Sequence, residues 1–163
     1  MLIGVLSDTH LIDNRAGLIP KEVVQGFAGV DMIIHAGDVC VKSVLDELEL
    51  IAPVRAVAGN MDNGELLRKL PRKQVLDIKG YKIGVIHGDG GQREYTPQRA
   101  LEAFKGDNVD CIVFGHTHRA YNSLHEDVLL FNPGSSTEKR RYRYYSYGLL
   151  RLGETIEARI VYF

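Results

Sequence analysis

Cys111-Ile112-Val113-Phe114-Gly115-His116-Thr117-His118 is the stretch around which the chain is organised. Its first residues are apolar, with β-branched and aromatic types, and read as a short buried strand that runs out into glycine and two histidines. On an extended backbone residues i and i+2 point to the same side. The spacing therefore predicts that both imidazoles reach one small region beyond the strand end, suited to one metal ion or two adjacent ones. Taken alone, the same letters describe a surface turn with two unrelated histidines. Repetition separates the two readings.

The grammar of an apolar run followed by a cluster of Asp, His, Asn and Gly occurs five times. Leu2 to Leu6 leads into Ser7-Asp8-Thr9-His10, and Met32-Ile33-Ile34 into His35-Ala36-Gly37-Asp38. Residues 54–58 lead into Gly59-Asn60-Met61-Asp62, residues 83–86 into His87-Gly88-Asp89, and the opening stretch completes the set. Residue types that bind metals thus recur just past the carboxyl ends of predicted strands, where open α/β sheets place their sites.

Between these clusters, residues 20–27 and 41–50 read as helices, the second with Val44, Leu45 and Leu48 on one face. The first three strands are therefore expected to be parallel, linked by βαβ crossovers. Residues 74–78 and 81–86 read as a hairpin turning at Lys79-Gly80. Thr96 is expected to cap, and Pro97 to open, a helix running to Phe104. Residues 127–131, 145–152 and 155–163 read as further strands. The mixture predicts an α/β fold of two stacked mixed sheets with helices outside. The 163 residues, 45% hydrophobic, suffice for one domain over 1–163 with a real core, without repeats or a linker.

Twenty Lys plus Arg against 21 Asp plus Glu leave a net charge of -1, which gives no general footprint for nucleic acid or an anionic membrane. An anionic substrate must then be attracted locally. The apolar start lacks the basic region and cleavage site of a leader, and no apolar run approaches membrane-spanning length, so a cytoplasmic protein is expected. Cys40 and Cys111 form no Cys-x-x-Cys pair and are read as reduced and structural.

Asp8, His10, Asp38, Asn60, His87, His116 and His118 offer oxygen and imidazole nitrogen without thiolate. That set suits divalent Mn, Fe, Co, Ni or Zn in an open catalytic site rather than a closed structural zinc site. Seven donors exceed one tetrahedral ion and match two ions sharing an aspartate, about 3.5–4 Å apart. Two aspartates against two dications leave a local charge of about +2, enough to hold a phosphate ester on a nearly neutral protein. Water bridging the ions is acidified to a hydroxide nucleophile, and the reaction class that follows is metal-assisted phosphoester hydrolysis.

The ordered set Asp8-x-His10, Gly37-Asp38, Gly59-Asn60-x-Asp62, His87-Gly88 and Gly115-His116-x-His118 resembles the calcineurin-like metallophosphoesterase superfamily. With Asn132-Pro133-Gly134-Ser135 and the short length, it is similar to the small bacterial and archaeal phosphodiesterase branch, which also contains Vps29-like scaffold proteins. The resemblance spans residues 2–135. It implies a four-layer αββα sandwich and a binuclear centre, manganese being the first expectation and nickel, iron, cobalt or zinc the others. By motif, Asp8, His10, Asp38 and His118 would hold one ion and Asp38, Asn60, His87 and His116 the second, with Asp38 bridging. Asp38, Asn60 and His10 would be catalytic, and Asn60 and His10 would also contact the substrate. The substrate class implied is a small phosphodiester, a nucleotide included. A phosphomonoesterase or nucleotidase on the same site, or a metal-free scaffold of the Vps29 kind, are the alternatives.

Two positions depart from the superfamily pattern. Met61 stands where many members have histidine and the small branch often has cysteine, and a thioether donates no proton. Asp89 stands where many carry a further histidine. His35 and Asp62 are expected to support the site structurally from outside the donor set. His125 is expected in an exposed polar turn. Residues 139–147 alternate basic and aromatic types; they read as a strand whose long side chains cover an apolar face, or as a nucleotide grip by charge and stacking. A nucleic-acid module built on that run is the less favoured reading, and a homo-oligomer is left open.

Overall fold

The computed structural model describes residues 1–12 and 18–163. Strand β1 (Leu2–Leu6) alternates cleanly: Ile3 and Val5 point into one apolar cluster, Leu2 and Leu6 into another. Strand β6 (Cys111–Phe114) does the same, with Cys111 and Val113 in the cluster shared with Ile3 and Val5, and Ile112 and Phe114 in a third. A period of two with both faces apolar is what a strand buried on both sides requires. These two strands are the centres of two sheets packed face to face.

The remaining strands are β2 (Met32–His35), β3 (Val54–Ala56), β4 (Lys73–Ile78), β5 (Tyr81–Ile86), β7 (Tyr121–His125), β8 (Val128–Asn132), β9 (Ser146–Leu152) and β10 (Ile156–Tyr162). One sheet runs β10-β9-β1-β2-β3 and the other β4-β5-β6-β8-β7. In the first, β1, β2 and β3 are parallel, β9 pairs antiparallel with β1, and β10 pairs antiparallel with β9; in the second, β5, β6 and β8 are parallel and the edges β4 and β7 antiparallel.

Helices α1 (Lys21–Gly26), α2 (Lys42–Glu49) and α3 (Gly64–Lys69) supply Val23, Val44, Leu45, Leu48 and Leu66 to the outer face of the first sheet. Helix α4 (Thr96–Ala103) and the following Phe104 cover the second sheet. The result is the αββα order expected. Each helix layer seats a phenylalanine on a strand glycine: a Cβ on Gly4 would lie 2.8 Å from Phe27, and one on Gly84 would lie 2.8 Å from Phe104. Each fully buried aliphatic or phenyl side chain contributes about 1.5–3 kcal/mol, so the central strands dominate the fold's stability.

Several local expectations are corrected. Thr96 is the first residue of α4 rather than its cap; its hydroxyl accepts from Arg99 Nη2 at 2.8 Å, and a short 3-10 turn (Arg93–Tyr95) precedes it. Strand β7 was not foreseen, and His125 is exposed at its end rather than in a turn. Helix α3 was also missed, although Asn63 caps it by accepting from the Glu65 and Leu66 amides. Only residues 146 and 147 of the basic-aromatic run belong to a strand; residues 139–145 form a loop. Cys40 and Cys111 are buried free thiols, and burial pushes the Cys111 thiol up to about 12, so it stays protonated.

Candidate metal centre

The loops that follow β1, β2, β3, β5 and β6 meet at one end of the two sheets. The backbone N–H groups of Asp8 and His10 donate to the carbonyls of Gly37 and Asp38 at 3.0 Å each, and that of Gly115 donates to the His87 carbonyl at 3.1 Å. The glycines of the motifs mark where one loop rests on a side chain from another. A Cβ on Gly59 would lie 2.2 Å from Asp38 Oδ1, and one on Gly115 would lie 1.8 Å from Ser7 Oγ and 2.8 Å from Asp8 Oδ2.

The backbone here is not extended. Asp8, His10, Asp38, His116 and His118 all have φ between 48° and 67°, a left-handed conformation that costs a non-glycine residue about 1–3 kcal/mol and collects at functional sites. This corrects the reading of His116-x-His118. From this turned backbone each imidazole meets a different partner: His118 stacks on His10 with ring centroids 4.8 Å apart, and His116 meets His87 edge-on at 5.4 Å.

Between these pairs lie the two aspartates. Asp8 Oδ1 is 3.4 Å from His118 Nε2 and 3.7 Å from His10 Nε2; Asp38 Oδ2 is 3.1 Å from His87 Nε2 and 3.5 Å from His10 Nε2. Their other oxygens are occupied. Asp8 Oδ2 accepts from Ser7 Oγ at 2.6 Å and from the His116 amide at 3.0 Å, while Asp38 Oδ1 accepts from the Met61 amide at 2.7 Å.

Two groups of donor atoms converge closely enough for an ion, Asp8, His10 and His118 in one and Asp8, Asp38 and His87 in the other. Asp8 belongs to both by proximity. Asp38 Oδ2, turned to His10 and His87 together, is nevertheless the oxygen lying between the two histidine pairs. His116 is half-buried and Asn60 is exposed at the same mouth.

The hydrogen bonds fix which nitrogens face inward. His87 Nδ1 donates to the Ala36 carbonyl at 2.8 Å, and His118 Nδ1 donates to the Glu138 carbonyl. Each neutral ring then directs an Nε2 lone pair at a carboxylate oxygen, an arrangement that repels unless a cation lies between. The buried atoms Asp8 Oδ1 and His87 Nε2 have no hydrogen-bond partner. Orphaned buried polar atoms in the same cluster of donors fit a metal.

Electrostatics carries the same message. Burial alone would raise the Asp8 carboxyl, but the neighbouring His10 imidazole and the charges of His87 and His118 hold it at about 2. Burial opposes charge on His10, yet the Asp8 contact and its neighbours raise it to about 10. Burial likewise opposes charge on His87, and the Asp38 contact raises it. The carboxylates demand positive charge, which protons supply when no cation does.

Further buried contacts surround these donors. Asp62 is buried and accepts from the amides of Cys40 and Gly59, both at 2.7 Å, joining two loops. His35 is fully buried with Nε2 3.2 Å from Thr9 Oγ1, and burial lowers it to about 4. It contacts Thr9, not Asp38. Asp89, where a histidine was the alternative, lies 3.9 Å from Arg72, whose Nη1 donates to the Gly59 carbonyl. Met61 is 57% exposed. Sequence reasoning missed the segment 135–138: Ser135 Oγ donates to the Asp8 carbonyl at 2.7 Å, Thr137 Oγ1 to the Thr9 carbonyl, and Glu138 Oε2 lies 3.7 Å from His10 Nδ1. Its signal was the run of polar residues after Asn132-Pro133-Gly134.

Residues 1–155 match the model of the calcineurin-like phosphoesterase superfamily domain. The chain belongs to that family. It is 48% identical over 140 residues to a probable metallophosphoesterase of Methanocaldococcus jannaschii, covering 86% of this chain and 70% of that protein. Among solved structures it is similar to one described as a novel archaeal phosphodiesterase, at 28% identity, a TM-score of 0.76 and full coverage of both chains. It also shares its fold with wild-type Vps29 of Entamoeba histolytica complexed with zinc, at 23% identity and a TM-score of 0.76, over 99% of each chain.

Proposed function

We propose that the protein is a metal-dependent phosphodiesterase with a binuclear centre, manganese being the first candidate ion. The observation that carries this reading is the pair of orphaned atoms, Asp8 Oδ1 and His87 Nε2, in a pocket where two tautomer-fixed histidines turn lone pairs toward carboxylates. Asp8, His10, Asp38 and His118 would hold one ion, and Asp38, Asn60, His87 and His116 the second. Bound there, divalent ions supply a nucleophile at neutral pH and neutralise charge on the phosphoryl oxygens.

The chain's own part is positioning. Asp38 offers Oδ2 to both ends while the Met61 amide restrains Oδ1. Asn60, exposed at the mouth, presents an amide to a phosphoryl oxygen. His10, partly accessible beside both aspartates, meets the ester from the other side. Hydrolysis adds water across one P–O bond and returns a phosphomonoester and an alcohol.

Elemental analysis and turnover of bis(p-nitrophenyl) phosphate by metal-stripped and reloaded protein test this reading. Two ions per chain and activity abolished by chelation are expected. Absence of bound metal, or full activity after chelation, overturns it and favours the second reading, a scaffold of the Vps29 kind, for which the fold likeness speaks.

A further inference from the structure

A cleft of about 810 Å³ opens beside the candidate centre. The loops that carry His87, His116 and His118 continue directly into its walls, as does the segment after Glu138: Gln92 and Arg93 follow the first, Thr117 and Arg119 belong to the second, and Arg140, Arg141 and Tyr142 extend the third. Among the described residues four arginines line it, with Glu94 the single acidic one. On a chain of net charge -1 this is a concentrated cationic surface. Thr117, which lines the cleft, stands between His116 and His118 in the chain, so the wall adjoins the centre.

All four cations are arginine, not lysine. A guanidinium presents a planar fork that matches phosphate oxygens in pairs, whereas an ammonium acts as a point charge. Arg140 already leans on Glu138, with Nε 3.5 Å from its carboxylate. Among the described residues the side chains of Arg119 and Arg141 pair with no carboxylate. Tyr121, held at 6.0 Å from the buried Phe114 ring, and Tyr142, with the Arg141 guanidinium 5.8 Å from its ring, add aromatic surface between these charges. Alternating guanidinium and phenol groups accept a phosphate and a planar base side by side. The volume falls within the roughly 300–1,000 Å³ of small-molecule sites, which favours a small ligand over a polynucleotide.

We propose that this cleft holds the non-reacting part of the substrate, and that this part is a nucleotide bearing a second phosphate beyond the one that is cleaved. The proposal rests on the phosphodiesterase reading above. It also gives the basic-aromatic stretch at 139–147 a use: the loop that the sequence suggested would be a strand brings Arg140, Arg141 and Tyr142 to the cleft.

Three probes on reloaded protein separate the outcomes: bis(p-nitrophenyl) phosphate, the p-nitrophenyl ester of thymidine 5′-phosphate, and the same ester with a 3′-phosphate. The 3′-phosphorylated ester is expected to have at least a tenfold higher kcat/KM than the ester without it. In the double variant Arg119→Ala/Arg141→Ala that ratio should fall to near one. Calorimetry on the metal-stripped protein gives an independent readout: thymidine 3′,5′-bisphosphate should bind the parent at least tenfold more tightly than the variant, with melting temperatures confirming that both are folded. If no ester is hydrolysed, the phosphodiesterase reading fails, while the calorimetric comparison still decides the cleft. If all three are hydrolysed without preference and the bisphosphate binds both proteins equally, the cleft proposal is overturned. Tighter binding of a single-stranded oligonucleotide than of the bisphosphate overturns it in favour of a polymer.

Discussion

The two ends of the candidate centre use the same donor types in different surroundings. At the Asp8/His10/His118 end, His118 and Asp8 are fully buried, and the segment 135–138 is laced over them by Ser135, Thr137 and the Glu138 carbonyl. At the Asp38/His87/His116 end only Asp38 and His87 are buried; Asn60 and Met61 are exposed and His116 half so. One end is roofed and the other is open. A roofed set of donors is preorganised and keeps its ion, whereas an open one leaves room for substrate oxygens and exchanges more readily. We therefore expect unequal affinities, the roofed end holding its ion more tightly.

The largest effect should come from the carboxylate proposed to bridge the two ends. Asp38→Ala removes Oδ2 from between His10 and His87, and the loss of activity should exceed the about 100-fold that follows loss of an outer hydrogen-bond partner. Metal content should fall below one ion per chain. Retention of two tightly bound ions with near-normal turnover would show that Asp38 is not the bridge.

Next in size is the difference between the ends themselves. His118→Ala should lower the melting temperature gained on metal loading, because an ion at 100 times its Kd stabilises by about 2.7 kcal/mol. His116→Ala should preserve more of that gain while losing turnover. Titration of stripped protein with Mn, followed by calorimetry, reads both, and equal losses from the two variants would erase the distinction. Gly115→Ala should destabilise even the metal-free protein by about 1–3 kcal/mol, since its Cβ would run into Ser7 and Asp8.

A smaller effect tests the roof. Glu138→Ala keeps the carbonyl that orients His118 and removes only the carboxylate 3.7 Å from His10 Nδ1. Metal affinity at that end should drop about 10–100-fold, with folding stability of the stripped protein unchanged within about 0.5 kcal/mol. No change in affinity would assign the roof to the backbone alone.

The sequence disclosed the open end and the roofed end unequally. Asp8, His10, Asp38, Asn60, His87, His116 and His118 stand directly after apolar runs, so a strand followed by a donor cluster was readable five times over. The two sheets followed from the parallel centre and the hairpin at Lys79-Gly80. Their local geometry did not, because an extended strand and a left-handed turn can be written with the same His-x-His letters; the turn arises from glycine contacts and loop hydrogen bonds contributed by residues far away in sequence. Strand β7 escaped for a related reason: at an exposed edge, Asn122, Ser123 and His125 need not be apolar, and pairing with β8 supplies what the pattern lacks. The loop at 139–145 misled because basic and aromatic alternation has strand period whether or not the backbone pairs.

Met61 offers the smallest and most selective test of the open end. Its amide serves Asp38 while its side chain stands exposed at the mouth, so changing the side chain leaves the backbone contact in place. Breaking a P–O bond puts charge on the departing oxygen. An alkoxide needs a proton or another cation, whereas nitrophenolate leaves unaided. General acid help is worth about 10²–10⁴ in rate where the leaving group needs it, and a thioether gives none. The parent should therefore show a steep dependence of rate on leaving-group pKa. Met61→His places a proton donor beside Asn60 and should flatten that dependence, raising turnover of alkyl diesters and barely altering that of aryl ones. A shallow slope already present in the parent and unmoved by the substitution would locate the acid elsewhere, with His10 at the roofed end the first place to look.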